Sequence, residues 1–228
     1  MNYCIVVPVY NSPYIEEVIK EILSYNYPII VVDDGSEKVV NLDKYDVHLV
    51  HHKVNLGKGE AILTGAKEAK KLGYDCFVTM DADKQHIASE IEKLLNIYEE
   101  NSIVVGNRDF TGVDVPNSSK FGRKFSNFWV TLESWKKLGD TQSGFRMYPV
   151  NILELNLKNK RFDFEIEILV FHIYRGGKII DVDVDCYYPP VDERISHFDK
   201  LYDNLRLTKV HTKLMIQRYL LLRGFLWK

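Results

Sequence analysis

The sequence is poor in cysteine, nearly balanced in charge and free of long apolar runs, and each shortage excludes something. Three cysteines, Cys4, Cys76 and Cys186, lie far apart among apolar or aromatic neighbours. That usage fits reduced, buried thiols in a cytosolic protein rather than a disulfide framework or a thiolate metal cage. A formal net charge of -2 argues against a general binder of nucleic acid, whose modules carry a clear basic excess. The balance is uneven along the chain: residues 194–228 hold eight Lys and Arg against two Asp, a +6 that leaves -8 for residues 1–193. The basic tail therefore meets something anionic or packs against the acidic body. No stretch approaches the roughly 18–20 consecutive apolar residues that cross a bilayer. Nor does the start, MNYCIVVPV, show the basic leader and apolar segment of a secretion signal. The expected place of work is the cytoplasm or the cytoplasmic face of a membrane.

What the chain does contain is enough apolar material for a filled core, with 228 residues of which 46% are hydrophobic and 12% aromatic. Short β-branched runs recur at Tyr3–Val9, Pro28–Asp34, Val47–His52, Asp75–Asp83 and Ser102–Asn107. Between most of them lie helical patterns, at Tyr14–Tyr25, Gly59–Leu72 and Ile87–Glu99, with apolar residues near i, i+3, i+4 and i+7. Runs that are continuously apolar are strands covered on both faces, so the fold class is α/β, a mostly parallel sheet with helices on each side. Beyond Arg108 a polar loop (109–122) leads into a helix near Arg123–Leu138. The compact GDTQSGFRMYP (Gly139–Pro149), a helix at Phe164–Tyr174, an alternating strand at Lys178–Tyr188 and a helical tail from Leu201 to Trp227 follow.

In sheets of this kind ligands bind beyond the carboxyl ends of the strands. The polar residues gather there: Asn11, Asp33 with Asp34, Asp81 with Asp83, and Asn107 with Arg108. Asp81, Ala82 and Asp83 form a D-x-D in which two carboxylates reach one side of a tight turn, and Gln85 adds a neutral oxygen. Such a set suits a hard divalent cation, Mg²⁺ or Mn²⁺, completed by water or phosphate oxygens. The alternative is that both carboxylates cap the helix starting near Ile87. Asp33 and Asp34 could accept hydrogen bonds from a base or ribose, with Pro8 and Tyr10 as a flat apolar wall, although Asp-Gly-Ser is also ordinary turn chemistry. NLGKGEA (Asn55–Ala61) has the glycines, the lysine and the following helix of a phosphate-binding loop, yet fits neither G-x-G-x-x-G nor the P-loop.

The segments VPVYN, VVDDGS, NLGKGEA, MDADKQH, GNR and DTQSGFR stand in the order and spacing of family 2 glycosyltransferases, and the chain resembles the branch of dolichyl- and polyprenyl-phosphate sugar synthases over residues 3–200. The resemblance implies a GT-A nucleotide-diphospho-sugar transferase fold in one domain. Residues 1–108 would form its nucleotide-binding half, 109–200 its acceptor-binding half, and 201–228 an amphipathic helical segment. It implies that Pro8, Tyr10, Asn11, Asp33, Asp34 and Lys58 hold the nucleotide of a UDP- or GDP-sugar, and that Asp81, Asp83 and Gln85 hold the metal. Arg108, Arg123 and Arg194 would face the phosphates and acceptor, and Asp140 the acceptor itself. The implied reaction is an inverting transfer to a polyprenyl phosphate, or alternatively to a saccharide hydroxyl with Asp140 as base. Ser12, Asn107 and His197 depart from the usual residues of that branch, His197 near the acceptor position. The tail, rich in Leu, Tyr, Phe and Trp among basic residues, would lie at a membrane interface or dock on the domain.

Overall fold

The computed structural model describes residues 1–110, 115, 117–161, 163–188 and 202–219. β1 (Tyr3–Val9) pairs in parallel with β2 (Ile29–Asp33) on one side and β4 (Cys76–Thr79) on the other, and β3 (His48–His51) extends the sheet beyond β2. β5 (Ser102–Arg108) and β7 (Lys178–Val184) pair in parallel. The two halves are joined by β6 (Arg146–Pro149), antiparallel to both β4 and β5. The order is β3-β2-β1-β4-β6-β5-β7, a seven-stranded sheet in which every strand but β6 runs the same way. All the parallel strands therefore end on one edge.

Alternate residues of each strand feed opposite layers, which is why the runs read as continuously apolar. Cys4 and Val6 of β1 face a cluster with Ala61, Ala66, Ile166 and Leu169 from α2 (Lys58–Lys71) and α5 (Phe164–Tyr174). Ile5, Val7 and Val9 face the other way, onto Val18, Ile22, Ile91 and Leu94 from α1 (Ile15–Leu23) and α3 (Ile91–Ile97). α2 approaches the sheet closely at Gly65. A Cβ there would strike Val6 Cγ1 and lie 3.2 Å from its Cγ2. On an open helix face Gly→Ala gains up to about 1 kcal/mol, but overpacking a filled core costs about 1–3 kcal/mol. Gly65→Ala is therefore expected to lower the thermal midpoint, and a rise would show that β1 and α2 can separate freely.

Three elements differ from the sequence pattern. β6 lies hidden in GDTQSGFRMYP, because a four-residue strand beginning with a buried arginine carries no β-branched run. The β4 strand ends at Thr79, so Asp81–Asp83 occupy the turn after it rather than the strand itself. α4 (Asn117–Ser134) begins six residues before the expected Arg123. Its polar Asn-Ser-Ser start reads as loop, yet unpaired amides make a first helical turn hospitable to such residues. Past its end Trp135 takes φ +59°, and Ser134 Oγ accepts the Lys136 N–H at 3.2 Å.

The tail, as far as it is described, is docked. α6 (Tyr202–Tyr219) buries Leu207, Val210 and Leu214 in the core shared with α4 and α5. His211 Nδ1 lies 2.8 Å from Glu133 Oε1, and Lys213 Nζ 3.5 Å from Glu167 Oε1. Among the described residues no helix is long and apolar enough to cross a membrane.

Candidate active site

The loops after β1 and β2 clasp each other where the two strands end. Asn11, at φ +50°, turns the chain out of β1; its N–H donates to Ser36 Oγ at 2.9 Å, and its Oδ1 accepts the Glu37 N–H at 2.9 Å. Asp33 accepts the Ser36 N–H at 3.0 Å and sits 3.0 Å from His51 Nδ1. Burial opposes its ionisation, but these bonds hold its carboxyl below the usual carboxylate range. Asp34 accepts the N–H groups of Leu56 (2.9 Å) and Gly57 (2.8 Å) and lies 2.7 Å from His52 Nδ1. Both carboxylates are buried and engaged with the chain's own groups, so they shape the loops beside Pro8 and the half-buried Tyr10.

That arrangement corrects the reading of NLGKGEA as an anion cradle. The Leu56 and Gly57 amides serve Asp34, and the Gly59 amide donates to Lys160 O at 2.8 Å. What the loop delivers inward is a side chain. Lys58 Nζ lies 2.8 Å from Asp81 Oδ1 and 2.9 Å from Asp81 Oδ2, and also 2.8 Å from Glu165 Oε1. Burial disfavours the ammonium, but Asp81 and Glu165 outweigh it and lift its pKa above the ordinary lysine range.

Asp81 and Asp83 are therefore unequal. Burial works against both, yet Lys58 holds the Asp81 carboxyl below the usual range. The Asp83 carboxyl is pushed up to about 6 by burial and then by the charge of Asp81. The Arg108 charge adds a smaller favourable contribution to the ionised form of both carboxylates. Neither caps a helix: the 3-10 turn Ala88–Glu90 has no side-chain cap of its own at its N-terminus, and the Ala88 N–H donates to Glu21 Oε1 at 2.7 Å. The turn is fixed by other bonds. Asp83 Oδ1 accepts the Gln85 N–H at 3.0 Å, and Ser12 Oγ donates to the carbonyl of Ala82. His86 Nδ1 accepts the Asp81 N–H at 3.0 Å, which places the ring proton on Nε2. Burial holds that imidazole neutral, with its pKa down to about 4.

A folded-state pKa raised above the unfolded value means the folded chain keeps a proton the unfolded chain has released. Ionising Asp83 therefore costs stability as pH rises from the ordinary aspartate range through about 6. Carbon-detected NMR of the Asp83 carboxyl should titrate near that value. Asp81→Asn should move it down, and a titration that ignores Asp81 would show that the two charges do not meet.

The second cluster holds Arg108, Arg123 and Asp140. Arg108 Nε and Nη2 donate to Asp140 Oδ2 and Oδ1 at 2.7 and 3.1 Å, a bidentate pair on a carboxylate with no exposed surface. Arg123, on α4, donates from Nη1 to Arg108 O at 2.7 Å and from Nε to Gly139 O at 3.0 Å. Both guanidiniums stand over the Phe110 ring, at 5.4 and 4.8 Å from its centroid. Arg194 and His197 lie outside the described residues.

Sequence reasoning understated three residues. Glu165 anchors Lys58, and Thr79 Oγ1 donates to Gly144 O at 2.7 Å. The fully buried Arg146 ties the site loop to α5 through Glu165 O at 2.8 Å and Thr141 O at 2.9 Å. An arginine inside an apolar strand was the available signal, since a buried guanidinium must find carbonyl or carboxylate partners.

Among the described residues no set of three or more His, Cys, Asp or Glu side chains is arranged to ligate a metal. Two carboxylates alone fit an ion completed by water and phosphate oxygens, as Mg²⁺ and Mn²⁺ sites in nucleotide enzymes often are.

The crystal structure of glucosyl-3-phosphoglycerate synthase from Mycobacterium tuberculosis with Mn²⁺, UDP-glucose and phosphoglyceric acid matches this chain with a TM-score of 0.68. At 16% identity, over 95% of this chain and 79% of that one, what the two share is the fold. The architecture is thus the GT-A fold of nucleotide-sugar transferases. The family model for glycosyl transferase family 2 matches residues 4–157, and the chain belongs to that family; it is a glycosyltransferase. Relatives include UDP-N-acetylglucosamine–dolichyl-phosphate N-acetylglucosaminyltransferase of Methanococcus voltae, 30% identical over 215 residues, covering 81% of this chain and 85% of that protein. Dolichol-phosphate mannosyltransferase of Pyrococcus furiosus is 30% identical over 203 residues, covering 80% of this chain and 55% of that protein.

Proposed function

We propose that this glycosyltransferase moves a sugar from a UDP- or GDP-sugar to the phosphate of a polyprenyl (dolichyl-type) phosphate, with inversion at the anomeric carbon. The names of its relatives support this class of acceptor. The observation that carries the reading is the state of Asp140: fully buried, with both oxygens held by Arg108. With both oxygens on Arg108 the carboxylate is committed to orienting that guanidinium, and a hydroxyl acceptor needs a free carboxylate within hydrogen-bond reach. A phosphate monoester does not, because with a second pKa near 6 it is largely dianionic at neutral pH and already nucleophilic.

Within this reading Asp81 and Asp83, with Gln85 beside them, would hold Mg²⁺ or Mn²⁺, which would supply Lewis-acid stabilisation of the charge on the leaving phosphate. Lys58 keeps Asp81 ionised, and Glu165 keeps Lys58 in place. Arg108 and Arg123 align the acceptor phosphate opposite the leaving group, and Asp140 fixes the plane of Arg108. The clasped loops carrying Asn11, Asp33 and Asp34 wall the nucleoside site with Pro8 and Tyr10.

The test is a product assay with purified chain, Mg²⁺ or Mn²⁺, each common nucleotide-sugar and a short polyprenyl phosphate. A glycolipid that forms only with divalent metal is the expected result. Transfer to a saccharide hydroxyl with none to the lipid phosphate would overturn it.

A further inference from the structure

We propose that the outer face of α4 is a docking surface for the headgroup region of an anionic lipid bilayer. Phe121, Phe125, Phe128 and Leu132 follow one another at i, i+4, i+7 and i+11 of α4, within an arc of about 60°, and Trp135 stands just past the helix end at φ +59°. Their exposures are 68%, 42%, 61%, 36% and 69%. The opposite face, Ser126, Val130 and Glu133, is buried against the body, so the stripe is not a misdirected core face. Tyr219 of α6 extends it, its hydroxyl donating to Leu132 O at 3.1 Å while its side chain stays exposed. A contiguous aromatic strip left in water marks a surface that meets something apolar.

Charge chooses the occupant. Lys120 and Lys124 are exposed along one side of the stripe and Lys136 and Lys137 beyond its end, whereas the only carboxylate of α4, Glu133, is buried. A long flat strip of Phe and Trp edged with lysine suits the interface of a bilayer carrying negative headgroups, where aromatic rings lie at headgroup depth and each lysine is attracted by the surface potential. The same helix carries Arg123 on its inner side, 3.8 Å from Asp140. Docking would set a membrane-borne phosphate beside the basic cluster, and in that respect the inference rests on the acceptor proposed above.

Vesicle sedimentation tests it with the full chain and no polyprenyl phosphate present, so the outcome is independent of the acceptor. The chain is expected to sediment with phosphatidylcholine–phosphatidylglycerol vesicles, and less so as salt is raised. Phe121→Ser/Phe128→Ser/Trp135→Ser should weaken that binding by about tenfold or more, with an unchanged thermal midpoint and unchanged turnover of a short, water-dispersed polyprenyl phosphate. Lys120→Glu/Lys124→Glu should weaken binding to the anionic vesicles and leave binding to pure phosphatidylcholine as it was. The proposal fails if the chain stays in the supernatant with every vesicle or if the triple variant binds like the native chain. It fails equally if sedimentation velocity shows a dimer that the triple variant dissociates, for then a second copy covers the stripe. Vesicle binding that persists while no polyprenyl phosphate is glycosylated upholds the surface and sinks only the acceptor reading.

Discussion

Gly144→Ala is expected to remove donor turnover while leaving the protein folded. A Cβ on Gly144 would lie 2.6 Å from Lys58 Nζ, 2.8 Å from Asp81 Oδ2 and 3.1 Å from Glu165 Oε1, inside the triad that orients the Asp81 carboxylate, the proposed metal ligand. Two of these distances are shorter than real carbon contacts, so the three groups must part. They are the far ends of flexible side chains, which can swing aside without moving the backbone, so the loss of stability is small. The loss of function is not. Asp81 would lose the ammonium that keeps it ionised and aimed, and a displacement of about 1 Å at such a site costs on the order of 10²-fold in rate. The measurement is kcat/KM for the donor alongside thermal unfolding, with Mn²⁺-dependent nucleotide binding by calorimetry. A variant that unfolds early but turns over normally when folded would show that the triad is only structural.

This substitution marks where the sequence could and could not be read. The parallel layers were legible because buried strands are written in β-branched residues, and the sheet edge that carries the polar residues follows from the parallel order. Asp81, Asp83 and Arg108 could be picked out as strand-end charges for the same reason. Lys58 appeared in the sequence as part of a glycine loop, and only the fold shows its ammonium between Asp81 and a glutamate more than a hundred residues later. Asp33 and Asp34 illustrate the converse. Their type and position suggest ligand contacts, and what the sequence could not show is that the backbone amides of Ser36, Leu56 and Gly57 and the rings of His51 and His52 also bond to them. A hydrogen-bond partner supplied by main chain leaves no trace in residue type. β6 was missed because its stability comes from pairing on both sides rather than from its own composition.

The Arg108–Asp140 pair separates the two acceptor chemistries most sharply. If Asp140 acts through Arg108, Asp140→Asn weakens transfer by about 10²–10³-fold by loosening the guanidinium, an effect of the size seen when one positioned charge-stabilising donor is lost. It also lowers the thermal midpoint, because removing one partner of a buried ion pair strands the other charge at a cost of about 3–5 kcal/mol. Arg108→Gln should do the same, with the stranded charge now on Asp140, which Arg123 reaches only at 3.8 Å. In the double variant two neutral amides can bond to each other, so stability should recover relative to Arg108→Gln while transfer falls no further. Groups that act as one unit lose their function once, not twice. A base would behave otherwise. The stability loss would be the same, since the buried ion pair is broken either way, but Asp140→Asn would abolish transfer outright rather than lower it by about 10²–10³-fold, with metal-dependent nucleotide binding intact. That set of results would return the acceptor to a sugar hydroxyl.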